Sequence, residues 1–237
     1  MRGEAVNARR NSVMTKTKRR KKAICFVDGF NLYHGIKSLQ KPHLKWLDIE
    51  GLLRSHIEKE FAPESHIIEE IRYYTANVTW RGPDVQNRQR AYVEALQGHS
   101  SDCLKSRFGK FKIKAWTCPS CRRKVKRREE KETDVNIAID MISIAHQNTF
   151  DTFCLLSADT DFMPVLEHIR QNFRKIDISL LFPPNRMYPA YEYFEKKLGV
   201  RPRQMDTKSL DQYLLPDKVR FRSRTITRPE AYAPPAM

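Results

Sequence analysis

Apolar residues along the chain follow two alternating patterns, which are short apolar runs and segments with helical spacing. The runs predict strands at 23–27, 67–75, 108–116, 153–156 and 176–182. Apolar residues three and four positions apart predict helices at 32–39, 48–57, 84–96, 133–145, 161–173 and 191–198. We expect Asp48, Asp84 and Thr133 to cap their helices and Pro164 to lie in a first helical turn. The 133–145 helix is apolar on most faces, which predicts that it is buried.

This alternation predicts an α/β protein with a mostly parallel sheet and helices on both faces, because parallel strands need long, usually helical, connections. The pattern places the domain at residues 23–200, with a cysteine-containing and basic insert at about 99–131. Residues 1–22 carry nine Lys/Arg and one acidic residue, and they are predicted to form a disordered basic arm. Residues 201–237 are predicted to be a C-terminal tail.

The charge balance narrows the class of partner. The chain has 44 Lys+Arg against 28 Asp+Glu, a net charge of +16, which favours nucleic acid as the partner over an anionic membrane surface. The sequence contains no stretch of 18 apolar residues, so no membrane-spanning helix is predicted. No secretory signal pattern follows the first residue. The five cysteines are an odd number in a chain long enough to fold without disulfides, which predicts a reducing, cytoplasmic location.

Four aspartates are predicted to meet at one edge of the sheet. Asp28 ends the first strand, Asp159 and Asp161 follow the fourth, and Asp134 opens a helix. Ligands of open parallel sheets bind outside the carboxyl ends of the strands. Closely spaced carboxylates need protons or a hard cation for compensation, and such sites suit Mg²⁺ or Mn²⁺. Asn31 could orient a carboxylate or a water there; each aspartate taken singly is also a common turn former or helix cap.

Three segments resemble the motifs of NYN domains of the LabA/DUF88-like branch. They are Phe-Val-Asp-Gly-Phe-Asn-Leu-Tyr at 26–33, Lys-Glu-Thr-Asp-Val-Asn-Ile-Ala-Ile-Asp at 131–140 and Leu-Ser-Ala-Asp-Thr-Asp-Phe at 156–162. The resemblance covers roughly 22–200 and implies a Rossmann-like, PIN-like fold with a five-stranded parallel core sheet. It also implies a Mg²⁺- or Mn²⁺-dependent ribonuclease whose acidic cluster is Asp28, Asp134, Asp159 and Asp161, with Asn31 beside it. Lys131 would lie at the rim, as a phosphate contact or as a solvated lysine, and Asp140 would be a structural partner.

The insert carries a second candidate metal site and a basic run. Cys118 and Cys121 have the spacing of a zinc knuckle, with His99 and Cys103, or a second molecule, as sources of the remaining ligands; free or redox-active thiols are the alternative. The basic residues that would contact RNA are Arg122, Arg123, Lys124, Lys126, Arg127 and Arg128, in a loop that could equally be a flexible excursion. Trp80 and Trp116 could stack on bases or belong to the core.

These observations predict a metal-dependent endoribonuclease that hydrolyses phosphodiester bonds of single-stranded RNA. A non-catalytic RNA-binding or regulatory adaptor with the same fold is the alternative, and a phosphatase is a third candidate. Against a phosphatase, the first strand lacks the paired aspartates of an aspartyl-phosphate mechanism. A homo-oligomer is compatible with the sequence.

Overall fold

A seven-stranded sheet, in the order β4-β3-β2-β1-β5-β6-β7, organises the computed structural model, which describes residues 19–100, 103–186 and 190–235. For 112–114 and 125–131 only the backbone is described. The strands are β1 (Lys21–Asp28), β2 (His66–Ala76), β3 (Leu104–Thr117), β4 (Lys124–Lys131), β5 (Thr152–Leu156), β6 (Asp177–Phe182) and β7 (Arg203–Gln204). Neighbouring strands pair in parallel except β4, which pairs antiparallel with β3.

The predicted α/β class is confirmed, and the five predicted strands correspond to β1, β2, β3, β5 and β6. The sheet is larger than the expected five strands because β4 and β7 join its two edges. The two-residue β7 is too short to produce a periodic signal, and β4 is almost entirely charged. Sequence periodicity therefore located the centre of the sheet and missed its margins.

Helices cover both faces of the sheet, as predicted. They are α1 (Gly29–Ser38), α2 (Ile49–Phe61), α3 (Pro83–His99), α4 (Thr133–Gln147), α5 (Met163–Asn172) and α6 (Ala190–Leu198). Two apolar clusters result, with α1, α2 and α3 packed on one face and α4, α5 and α6 on the other. β1 contributes Cys25 and Val27 to the first cluster and Ile24 and Phe26 to the second, because successive side chains of a strand point to opposite faces. None of the described helices is both long and apolar enough to cross a membrane.

Several predicted helix starts are corrected. Asp48 caps α2 as predicted, accepting a hydrogen bond from the amide of Gly51 at 3.1 Å. Asp84 lies inside the first turn of α3, because Pro83 opens the helix, where its fixed φ and missing N–H are tolerated. Thr133 is the first residue of α4 rather than its cap. The predicted 161–173 helix divides into a 3-10 turn at Thr160–Phe162 and α5, which has Pro164 in its first turn.

The helix α4 is less buried than its composition predicts. Ile137 and Met141 are fully buried against the sheet, whereas Val135 and Ile139 are 60% and 55% exposed. The prediction of a helix buried on most sides is therefore wrong. Apolar content cannot distinguish a helix with two covered faces from one that leaves an apolar stripe facing solvent.

The segment predicted as a C-terminal tail folds onto the domain up to residue 235. A hairpin of β8 (Lys218–Phe221) and β9 (Arg224–Thr227) packs against α3 and buries Val219 and Ile226 in the first apolar cluster. The contact with α3 is close at Gly98, where a Cβ atom would collide with the backbone oxygen of Arg220. Of the predicted basic arm, residues 1–18 lie outside the described part of the chain.

Candidate active site at the carboxyl edge of the sheet

Asp28 is the buried anchor of this edge. It ends β1 and caps α1, with one carboxylate oxygen accepting from the amides of Phe30 at 3.1 Å and Asn31 at 3.0 Å. The hydroxyl of Ser157 donates to the other oxygen at 2.9 Å. The side chain is almost completely buried, and this burial, together with the nearby charge of Asp159, raises the pKa of Asp28 despite those hydrogen bonds.

Gly29 is required by the close packing behind this anchor. A Cβ atom at this position would lie 2.5 Å from the backbone oxygen of Tyr74 and 2.8 Å from the ring of Tyr73. The first turn of α1 therefore passes directly against the end of β2. This explains in physical terms why a glycine follows Asp28 in the motif.

The turn after β5 places two more carboxylates beside Asp28. The amide of Ala158 donates to the side-chain oxygen of Asn31 at 3.2 Å, which ties this turn to α1. The amide of Asp159 donates to the hydroxyl of Ser157 at 3.1 Å, and the amide of Asp161 donates to the carboxylate of Asp159 at 3.0 Å. Asp159 is half-buried and Asp161 is exposed. The turn thus directs one fixed carboxylate and one solvent-facing carboxylate toward the edge.

Asp134 approaches from the other side, in the first turn of α4. Partial desolvation of its carboxyl group and, in decreasing order, the charges of Asp28, Asp159 and Asp161 together raise the pKa of Asp134 to about 6. The four aspartates therefore interact electrostatically across the edge. Their spatial grouping, with Asn31 among them, follows the sequence prediction; their catalytic role stays a prediction.

Ser157 is the member of this site that the sequence reasoning did not single out. It is fully buried and connects Asp28 to Asp159 through its hydroxyl. Its place in the 156–162 motif was the available signal. The role becomes evident only when β1 and β5 are seen to be neighbours in the sheet.

The donor chemistry of the four aspartates fits a hard divalent cation, since all the available ligands are carboxylate oxygens. In the part of the chain that the structure describes, however, no group of three or more His, Cys, Asp or Glu side chains is arranged to hold a metal ion. Asp28 is fixed by its three hydrogen bonds, whereas Asp134 and Asp161 are exposed. Metal binding would therefore require the exposed carboxylates to turn toward Asp28.

Most of the described sheet and its helices fall within one known protein family. A family model for the NYN domain matches residues 22–190. The chain belongs to the NYN domain family. NYN domains are part of a nuclease superfamily, which agrees with a polar edge of this kind. The LabA/DUF88-like branch stays a prediction.

Two individual proteins are similar to this NYN domain chain. One is a 6-hydroxy-3-succinoylpyridine 3-monooxygenase from Pseudomonas putida, with 25% identity over an alignment of 171 residues that covers 61% of this chain and 54% of that protein. The chain thus spans about half the length of this relative. The other is the crystal structure of a protein of unknown function from Vibrio parahaemolyticus, with 17% identity and a TM-score of 0.47 over 83% of this chain and 97% of the other.

Asp140 has the structural role that was predicted for it. Its carboxylate accepts from the hydroxyl of Tyr74 at 2.6 Å and is paired with Arg72 at 3.0 Å and Arg107 at 3.1 Å. Burial and this carboxylate raise the pKa of Tyr74, so the hydroxyl stays a donor. The network joins α4 to β2 and β3 and supports the position of Asp134 at the start of the same helix.

A hairpin arm formed by β3 and β4 flanks the NYN site. β3 pairs with β2 only as far as Gly109, and from Lys110 to Thr117 it pairs with β4. The arm therefore extends about 25 Å past the end of β2, at about 3.3 Å per residue. β4 then returns to the edge and leads into α4. The insert is thus a paired hairpin, not an irregular loop.

Three of the cations that the sequence predicted to contact RNA are at the tip of this arm. Arg122, Arg123 and Lys124 are exposed there. The side chains of Lys126, Arg127, Arg128 and Lys131 lie outside the described residues, although their backbone forms β4. Their predicted contact with RNA remains a prediction.

Aromatic rings join the base of the arm to the site. Phe111 of β3 packs edge-on against Phe30, two residues after Asp28, with ring centroids 5.3 Å apart. Trp80 packs against the same Phe111 at 4.1 Å, whereas Trp116 is 51% exposed farther along the arm. Trp80 therefore packs against the base of the arm, and Trp116 is left available for stacking.

The predicted completion of a zinc site by His99 and Cys103 is wrong. Cys103 precedes β3 and Cys118 follows it, so the 14 residues of the strand separate them by roughly 45 Å. His99 instead lies 3.4 Å from the carboxylate of Asp48, and the thiol of Cys103 faces the backbone oxygen of Ile68 at 3.9 Å. Cys103 and Cys118 are only 15 positions apart in the sequence, but the extended strand between them holds them far apart in space.

Proposed function

We propose that this NYN domain protein is a metal-dependent nuclease that hydrolyses phosphodiester bonds of RNA, with Asp28, Asp134, Asp159 and Asp161 as the residues that would hold Mg²⁺ or Mn²⁺. The observation that carries the proposal is the grouping of these four carboxylates at one edge of a chain with a net charge of +16, close enough for the other three to act on Asp134. In a basic protein that binds a polyanionic substrate, such a concentration of negative charge would bind a cation.

The four carboxylates are suited to different tasks. Asp28 is held by three hydrogen bonds, so it would provide a fixed ligand, and Asp159 is held by one. Asp134, whose pKa is raised to about 6 by partial desolvation and by the charges of the other three carboxylates, would be the ligand that gains most from a bound cation, because the cation offsets that repulsion. A bound divalent cation would supply activation of water and neutralisation of charge on the phosphoryl oxygens.

The surroundings of the site support a nucleic acid substrate. The hairpin arm rises beside the edge, and its exposed cations Arg122, Arg123 and Lys124 would contact phosphates. The exposed ring of Trp116 lies on the same arm, where it could stack on an unpaired base. Single-stranded RNA is therefore the substrate class that we propose, since stacking of this kind requires unpaired bases.

A groove between α3 and the C-terminal hairpin is a second surface that carries aromatic and cationic side chains, as the arm does. It has a volume of about 490 Å³ and is lined by Phe108, Phe221, Arg222 and Arg224, among others. Phe108 is 47% exposed and belongs to β3, just before the arm begins. Aromatic and cationic groups in one groove suit a nucleotide chain that continues away from the site.

An RNA-binding adaptor without catalytic activity is the second candidate. It is favoured by the observation that, among the described residues, the carboxylates are not arranged to hold a metal ion. In an adaptor, Asp28 and Asp159 would serve as caps of α1 and of the turn after β5, which they are in this structure. The two candidates predict the same RNA binding and differ in cleavage.

Cleavage of labelled single-stranded RNA distinguishes the two candidates. We expect cleavage by the wild type with Mg²⁺ or Mn²⁺, none with EDTA, and a loss of about 100-fold or more in Asp134→Asn and Asp161→Asn. RNA binding in EDTA should persist in both variants, because the proposed contact surface lies on the arm. Asp84→Asn is the matched control, since Asp84 is also a first-turn aspartate but belongs to α3. Binding without metal-dependent cleavage by a pure wild type would establish the adaptor instead.

A further inference from the structure

The tip of the hairpin arm is a tight turn that holds two cysteines. The amide of Cys118 donates to the backbone oxygen of Arg123 at 3.0 Å, and the amide of Arg122 donates to the backbone oxygen of Cys118 at 2.8 Å. Arg122 has a φ of 54°, so the chain reverses immediately after Cys121. The turn therefore brings both thiols together at the outermost point of the arm.

This turn is built to stabilise a thiolate. The backbone amides of Cys121 and Ser120 and the thiol of Cys121 form hydrogen bonds with the sulfur of Cys118, and these bonds lower the pKa of Cys118. The neighbouring side chains of Arg122, Arg123 and Lys124 are cationic. Cysteine binds zinc as the thiolate, and the donors and cations that the turn places around the two sulfurs stabilise that charge.

Among the described residues, none completes a tetrahedral site at this tip. Of the other cysteines, Cys25 and Cys154 are fully buried in the sheet, and Cys103 lies at the opposite end of β3. The arm, from 104 to 131, contains no histidine. In agreement with this, no third ligand-type side chain in the described residues is arranged with the two cysteines to hold a metal.

We propose that two copies of the chain meet tip to tip and bind one Zn²⁺ through Cys118 and Cys121 of each. Two identical pairs of thiolates related by a twofold axis supply the four tetrahedral ligands that a structural zinc site needs. The arm extends about 25 Å past the end of β2, so the tips can approach while the two domains stay apart. Four thiolates and one Zn²⁺ leave a net negative charge, which the flanking cations of the two tips more than offset.

Zinc content and molar mass, measured together on the full chain, test this proposal. Protein purified in TCEP without chelator should contain about half a zinc ion per chain and have the mass of a dimer in light scattering. A zinc chelator should release the metal and yield monomers. Cys121→Ser should be monomeric and free of zinc, with an unchanged circular dichroism spectrum because the substitution is at an exposed tip. Cys103→Ser is the matched control and should keep both the metal and the dimer.

The other outcomes overturn the inference. One zinc ion in each monomer would mean that the ligands come from the same chain. Absence of zinc, with free thiols or with a Cys118–Cys121 disulfide found by mass spectrometry, would leave the pair as ordinary or redox-active cysteines. A dimer that persists in Cys121→Ser would place the interface elsewhere. The proposal holds or fails independently of RNA cleavage.

Discussion

Asp134→Asn should stabilise the metal-free protein, although it removes a carboxylate from the favourable end of a helix. The pKa of Asp134 is raised from 3.8 to about 6, and a shift of about two units corresponds to an upper limit of about 3 kcal/mol against the charged form. Because the side chain is exposed, solvent screening reduces this to about 1 kcal/mol. Loss of the interaction with the helix terminus costs about 0.5 kcal/mol. The expected net gain is about 0.5 kcal/mol.

Asp84→Asn measures how much stability is lost when a first-turn aspartate no longer interacts with its helix N-terminus. Asp84 occupies the first turn of α3 in the same way, so its replacement should cost about 0.5 kcal/mol without any compensating relief. The two variants should therefore differ by about 1 kcal/mol, or about 2–4 °C in melting temperature for a domain of this size. Asp28 and Asp159 are unsuitable probes, because their carboxylates also accept backbone hydrogen bonds.

The assay is a set of thermal melts with EDTA between about pH 4 and pH 7.5. Unfolded Asp134 loses its proton near pH 3.8, whereas folded Asp134 keeps it to about pH 6. The native state binds more protons in this interval, so its contribution to stability falls as the pH rises. The advantage of Asp134→Asn should appear over the same interval and be absent at about pH 4. Mg²⁺ should then stabilise the wild type more than the variant.

A variant that melts below the wild type in EDTA at pH 7.5, by as much as Asp84→Asn does, would refute the reasoning. It would mean that Asp134 serves the helix terminus alone and that the other three carboxylates do not act on it. A wild type whose melting temperature is indifferent to Mg²⁺ and Mn²⁺ would separately contradict the proposed cation site.

Three further predictions concern the arm, the C-terminal hairpin and the network behind the site. Changing the three tip cations to alanine should reduce the salt dependence of RNA binding by about 0.7 in log K against log salt for each cation that contacts a phosphate, measured by fluorescence anisotropy. Gly98→Ala should destabilise the protein by about 1–3 kcal/mol in urea melts, because the added methyl collides with the backbone of Arg220. Tyr74→Phe should cost about 1–2 kcal/mol by removing a donor to the buried Asp140; an unchanged urea midpoint would show that the arginines suffice.

The sequence determined the local elements and the order in which polar residues follow them. The apolar run before Asp28 and the run before Ser157 define strands by their composition alone, and a parallel arrangement places their carboxyl ends at one edge. The convergence of Asp28, Asp159 and Asp161 was therefore predictable. Asp134 was predictable as well, because a helix that follows a strand begins at the same edge.

Only the tertiary structure decided which of these residues are fixed and which are free. Ser157 connects Asp28 to Asp159 because β1 and β5 are neighbours. The pKa of Asp134 is raised by partial desolvation and by the charges of three carboxylates that are distant in the sequence. The distance between Cys103 and Cys118 was likewise undetermined until the intervening residues were seen to be extended. Local periodicity depends on neighbours within a few positions, whereas burial, charge coupling and ligand distances depend on which elements the folded sheet brings together.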